Sequence, residues 1–183
     1  PPRPRNKPGQ RFIAATDDTL IGGDGNNTLD GREGNDGIEG GLDNDSIDGG
    51  AGNDTLFGGE GEGVDTLSGG AGDDLYVIAD AKDVIYEYAN GGNDTAIIFV
   101  EDFAIPDESL INSMPSGWLE IEKFVMGDKD GQYITRVKGN TRNNSLMGNQ
   151  YDNTIDGGGG SDTMDGGAGN DSLLGGAGND SFI

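Results

Sequence analysis

The sequence predicts an all-β solenoid, with two blocks of short parallel strands joined by wider, irregular β coils. Three observations predict it. A nine-residue unit recurs with glycine first and an apolar residue eighth. Glycine supplies 36 of the 183 residues. Between the blocks the period breaks, and the chain becomes richer in β-branched and aromatic residues. A fixed short period is the mark of stacked repeats, in which each unit contacts only its neighbours.

The units read in order. Residues 1–12 read as a basic, Pro-rich linker or the edge of a fragment, with no apolar run of the kind a signal peptide needs. The first block covers 13–77. It opens with a degenerate forerunner, IAATDDTLI, and continues GGDGNNTLD, GREGNDGIE, GGLDNDSID and GGAGNDTLF from Gly22, Gly31, Gly40 and Gly49. GGEGEGVDTLS from Gly58 has two extra residues, and GGAGDDLYV follows from Gly69. The second block, 139–183, reads GNTRNNSLM, GNQYDNTID, GGGGSDTMD, GGAGNDSLL and GGAGNDSFI.

The grammar has a physical reading. Glycine at the first, second and fourth positions permits a tight turn with φ > 0. The last three residues have β character. A side-chain period of two points the eighth residue inward and its neighbours outward. Each nonapeptide is thus a six-residue turn and a three-residue strand. Two units make a coil with strands on opposite walls, and coils stack about 4.8 Å apart.

In the middle segment, 78–138, strands are predicted over 83–88, 95–100, 118–126 and 132–137, with a short helix over 106–114. Wider coils continuing the solenoid are expected. A small β-sandwich insert is the alternative. Asp128-Lys129-Asp130-Gly131 resembles an EF-hand opening, but the downstream ligands are missing, so a tight turn is expected.

Composition excludes several classes. Acidic residues outnumber basic ones 34 to 11, for a net charge of −23. The basic footprint of a nucleic-acid binder is missing. Without cysteine or histidine there is no disulfide framework, no thiolate or imidazole metal site and no histidine-based triad. No apolar run is long enough to span a bilayer. A disordered acidic linker would match the composition but needs no strict period.

The same numbers call for a cation. One apolar side chain per repeat is too little burial to offset the entropy of ordering nine residues. Aspartates at the sixth position would stack in columns and repel. A hard divalent ion between coils answers both problems. Calcium accepts six to eight carboxylate and carbonyl oxygens in a tolerant geometry, whereas magnesium demands a strict octahedron.

These units resemble the repeats-in-toxin (RTX, hemolysin-type) nonapeptide G-G-x-G-x-D-x-U-x. The string DDLYVIADAKDVIYEYANGGNDT resembles the segment between blocks in secreted bacterial members. The resemblance implies a right-handed parallel β-roll binding several Ca²⁺ ions. Each ion would lie between turns n and n+2, held by turn carbonyls and sixth-position aspartates. Carried over, one column holds Asp18 (degenerate), Asp36, Asp54 and Asp74, and the other Asn27, Asp45 and Asp65. In the second block Asn144, Asp162 and Asp180 share a column, and Asn153 faces Asp171. Implied carbonyl donors include Gly50, Gly52, Gly167, Gly169, Gly176 and Gly178. Asp94 is an additional candidate. Asn27, Asn144 and Asn153 lack the carboxylate, so weak or empty sites are expected there. Asp43 should strain its turn, and the insertion at 60–64 should bulge and weaken the Asp65 site. The pairs Asp36/Asp54 and Asp162/Asp180 are the best written.

The family implies a calcium-folded structural module of a secreted bacterial protein, exported by type I secretion and disordered at cytosolic calcium. The alternative is an adhesion, surface-layer or anionic-polysaccharide module using 78–138, with Lys123, Lys129, Arg136, Lys138 and Arg142 as a basic patch. Ordinary charge pairing competes with that reading of the patch. Ice binding is excluded because the third position shows no threonine ladder. No Gly-x-Ser-x-Gly elbow or P-loop is present. Catalysis is not expected in this chain, and any catalytic domain of the parent would lie outside it.

Overall fold

A computed structural model describes residues 11–13, 16–60, 63–88, 91–100, 120–129, 132–133 and 135–183. The described residues are strands and turns with no helix. The predicted helix over 106–114 lies outside them.

The strands fall into stacked parallel walls. The longest wall has nine strands. In chain order these are β2 (Thr19–Gly23), β4 (Gly37–Gly41), β6 (Thr55–Phe57), β8 (Leu75–Ile78), β10 (Thr95–Ile98), β11 (Lys123–Met126), β15 (Ser145–Met147), β17 (Thr163–Asp165) and β19 (Ser181–Phe182). The second wall holds β1 (Arg11–Ile13), β3 (Thr28–Glu33), β5 (Ser46–Ala51), β7 (Thr66–Ala71) and β9 (Val84–Tyr86). A separate sheet of β14 (Arg136–Lys138), β16 (Thr154–Asp156) and β18 (Ser172–Leu174) serves the second block. Every pairing in these three sheets is parallel and joins alternate strands of the chain order wherever the repeats are regular. This is the pattern of a β-roll, with successive repeats on opposite walls.

The core is a stack of eighth-position side chains. On the long wall Leu20, Ile38, Leu56, Tyr76, Ala96, Phe124, Leu146, Met164 and Phe182 lie in register. Leu29, Ile47, Leu67 and Ile85 face them from the second wall. Most are fully buried. At the far end Leu173 is half-buried and Phe182 is 56% exposed, so the inward rule fades over the last two repeats.

The long wall runs unbroken through the middle segment, where β8, β10, β11 and β15 pair in succession. There each strand turns two residues inward instead of one: Tyr76 and Ile78, Ala96 and Ile98, Phe124 and Met126. That second inward residue widens the coil. The β-sandwich alternative does not form among the described residues. The 132–137 strand divides in two. β13 (Gln132–Tyr133) pairs antiparallel with β12 (Asp128–Lys129); residues 130–131 of the expected turn lie outside the described ones. The remainder joins the second-block sheet as β14.

Two expectations about the repeat need correction. In the first block several strands are five or six residues long and run into the next turn, as in Arg32↔Gly50↔Gly70. The turn backbones superpose closely enough to extend the ladder. The first-position glycines do not adopt positive φ, whereas the second and fourth do, for example Gly50 (φ 107) and Gly52 (φ 134). The first glycine is needed for space. A β-carbon on Gly49 would lie 2.3 Å from Asp54 Oδ2.

Two non-glycine residues of the first block keep the left-handed backbone, Arg32 at the second position and Asp43 at the fourth, whereas Asn140, Arg142, Asn149 and Tyr151 of the second block do not. Asp43 has φ 71, the strain expected of it, and Arg32 has φ 75. Asp43 gains a compensating bond, because its Oδ2 accepts from Gly25 N–H at 3.0 Å.

Candidate metal centre

The sixth position builds a hydrogen-bonded column. Each residue's backbone N–H donates to the side chain of the residue one full coil further on. The series runs Asp18 to Asp36, Asp36 to Asp54 and Asp54 to Asp74, each at 2.8 Å. It continues from Asp74 to Asp94 and from Asp94 to Glu122 Oε2, both at 2.9 Å. Ser145 N–H then donates to Glu122 O, placing Asn144 next. Asn144 donates to Asp162 at 2.8 Å, and Asp162 to Asp180 at 3.0 Å. On the other wall Asn27 donates to Asp45 and Asp45 to Asp65 at 2.8 Å, then Asp65 to Asp83 at 3.2 Å. Further on, Thr135 and Asn153 occupy the same position, and Asn153 N–H donates to Asp171 at 2.8 Å.

The structure therefore brings the sequence-derived carboxylates into the expected columns, and adds Asp83 and Glu122. The insertion at 60–64 does not break the register. Asp65 remains buried and bonded across it, although residues 61–62 lie outside the described ones.

The fifth position builds a second ladder running the other way. Asn35, Asn53, Asp73 and Asn93 N–H donate back to Asp17, Asn35, Asn53 and Asp73. The two ladders clamp neighbouring coils reciprocally. Sequence reasoning missed this one. Its only signal is the run of Asn, Asp and Ser at position five.

Each column carboxylate uses one oxygen for the backbone. The second oxygen is the informative one. Oδ2 of Asp36, Asp45, Asp54, Asp74, Asp83 and Asp162 is buried with no hydrogen-bond partner. A buried charged oxygen without a partner is costly. For Asp36, Asp45, Asp54 and Asp162 this atom shares the space over a first-position glycine with a carbonyl of the next coil. A point over Gly31 lies 2.3 Å from Asp36 Oδ2 and 2.5 Å from Gly49 O, and the same holds over Gly157 for Asp162 Oδ2 and Gly175 O, at 2.5 Å each. The carbonyls of Gly50 and Gly52 face Gly70 and Gly72 of the next coil. Gly167, Gly169, Gly176 and Gly178 occupy the equivalent positive-φ positions of the second block. This all-oxygen set of carboxylates and carbonyls, with orphaned acceptors, fits calcium.

The asparagine positions are not alike: Asn27 donates its amide to Gly25 O at 2.6 Å but keeps a buried Oδ1 without a partner, like the aspartates. Asn144 donates to Ile121 O and accepts from Asn140 N–H, and Asn153 accepts from Asn149 N–H. Their amides spend their bonding capacity locally. Asp171 and Asp180 are only half-buried, unlike Asp162.

Burial raises the carboxylates' affinity for protons. Asp74 and Asp83 are pushed up to about 7, and Asp45 and Asp94 to about 6, first by desolvation and then by neighbouring carboxylates. The sign follows. The folded, metal-free chain binds more protons than the unfolded one between roughly pH 4 and 7, so its stability falls as pH rises through that window. Metal-free protein is expected to show more β structure by circular dichroism at about pH 5 than at about pH 7.5. Calcium reverses the trend, because it requires the ionised carboxylates.

The basic patch is largely engaged. Lys138 Nζ lies 3.4 Å from Asp156, and Arg142 lies 2.6 Å from Glu120. Arg136 also has a partner.

Stacked coils with orphaned carboxylates between them define a calcium-binding β-solenoid. The model of the RTX calcium-binding nonapeptide repeat matches residues 14–47, 38–64, 61–75, 138–173 and 157–183. More than half of the chain is covered, and the chain belongs to this family. A search of curated proteins finds no match.

Proposed function

We propose that this chain is a calcium-folded structural module of a secreted bacterial protein. It is exported unfolded by type I secretion and ordered by calcium outside the cell. The observation that carries the reading is the series of buried Oδ2 atoms without partners. Without a cation these columns repel, and the net charge of −23 opposes compaction. With calcium the same residues join one coil to the next. The lack of cysteine suits a chain that must stay unfolded until export. The module's role is structural, with no catalytic step of its own. Lys138 and Arg142 in ion pairs give little support to an anionic-polysaccharide surface.

A calcium titration followed by circular dichroism tests this. The chain is expected to lack β structure in chelator and to gain it cooperatively as calcium approaches about 0.1–1 mM, the range of extracellular modules. Equal β structure with and without calcium at neutral pH would refute the reading.

A further inference from the structure

The first block meets the middle segment at a turn that the nonapeptide grammar does not describe. There Asp74, Glu87 and Asp94 each bring a carboxylate oxygen within 4.8 Å of the others. All three are buried, at 2%, 6% and 1% exposure. Asp74 and Asp94 are successive members of the long-wall column. Glu87 is an outsider. It follows β9 on the opposite wall and belongs to no repeat unit. In the turn that ends at Asp94, the repeat frame puts Ala89 and Asn90 where two glycines are usual.

Tyr76 holds Glu87 in place. Its hydroxyl donates to Glu87 Oε2, and its oxygen accepts from Gly69 N–H at 2.7 Å. Tyr88 N–H donates to Glu87 Oε1 at 2.8 Å. These bonds orient a third carboxylate beside two others in a buried space, an arrangement that repels unless a cation is present. An independent feature points to the same place. Asp74 Oδ2 is buried without a hydrogen-bond partner. It is directed toward Tyr76, since a β-carbon on Gly69 would lie 2.1 Å from Asp74 Oδ2 and 2.5 Å from the Tyr76 oxygen.

We propose that Asp74, Glu87 and Asp94 form a calcium site of their own kind, closed by Tyr76 and tying the first block to the middle segment. The proposal rests on the calcium-module reading and adds a ligand from outside the repeat. Three carboxylates on one ion exceed the two that a repeat pair offers. Affinity rises with ligand charge, so this site is expected to fill first.

Calorimetric calcium titration of the whole chain tests it, comparing wild type with E87Q and Y76F. E87Q preserves shape and removes one charge. It is expected to delete one site or weaken the tightest class by about tenfold or more. Y76F removes the hydroxyl that orients Glu87, so it is expected to weaken the same class of site, by less than E87Q does. An E87Q isotherm that superposes on wild type overturns the proposal, and means that Glu87 serves only as a hydrogen-bonded neutral acid. If neither protein binds calcium, the calcium-module reading fails with it. If wild type binds and E87Q binds identically, only this site fails. Should E87Q not reach wild-type β structure in saturating calcium, terbium decides between wild type and Y76F. Tyr76 touches the site, so terbium emission excited through tyrosine should fall by more than half in Y76F. Equal emission from the two proteins overturns the proposal.

Discussion

Replacing Asp54 with asparagine is expected to shift stability in opposite directions with and without calcium. Asp54 is 1% exposed. Its Oδ1 accepts from Asp36 N–H, and its own N–H donates to Asp74 Oδ1, both at 2.8 Å. Its Oδ2 has no partner. Asparagine keeps the acceptor for Asp36 and removes one charge from the column. In chelator this relieves desolvation and the repulsion from Asp36 and Asp48 that raise the pKa of Asp54. Asp54→Asn should then be the more ordered protein. In calcium the same change removes a ligand. Losing one ion costs about 2.7 kcal/mol when calcium stands at roughly a hundred times its dissociation constant. Thermal melts in both conditions read the two signs. Shifts of the same sign would mean that Asp54 contributes by packing or hydrogen bonding alone.

Gly52→Ala is expected to be among the most damaging glycine changes in the first block. Gly52 has φ 134, a region that side chains rarely occupy. A β-carbon there would lie 1.9 Å from Gly34 O and 3.1 Å from Asn35 Oδ1. The coil beneath cannot yield easily. It is fixed through the bonds from Asp36 N–H to Asp54 and from Asn53 N–H to Asn35. Backbone strain and overpacking together should cost on the order of 3 kcal/mol or more. Gly37 is the control, because a β-carbon there meets nothing within 4 Å. Gly37→Ala should leave the calcium midpoint of folding almost unchanged, while Gly52→Ala moves it upward. Equal shifts would contradict close coil stacking at position four.

The regular part of this fold was legible because one physical demand repeats every nine residues. Leu29, Ile47 and Leu67 are inward for the same reason, and reading one reads all three. The aspartate columns followed from the same period. Asp83 and Glu122 escaped because the glycine half of the grammar is missing around them. What survives is a shorter signal, an acid followed two residues later by an inward apolar side chain: Asp83 before Ile85, and Glu122 before Phe124. Glu87 was illegible for a different reason. Its place depends on a tertiary hydrogen bond to Tyr76, which no local spacing reports. The first glycine's role was misread because its backbone is ordinary. It is the Asp Oδ2 lying over it that leaves no space for a side chain.

We read the orphaned carboxylate oxygens as calcium ligands. Crystals grown in calcium, measured at a wavelength where calcium scatters anomalously, test it most directly. Anomalous peaks are expected about 2.3–2.6 Å from Oδ2 of Asp36, Asp45, Asp54, Asp74, Asp83 and Asp162. An ordered solenoid with no peaks at these oxygens, and only water or neighbouring acids against them, would contradict it.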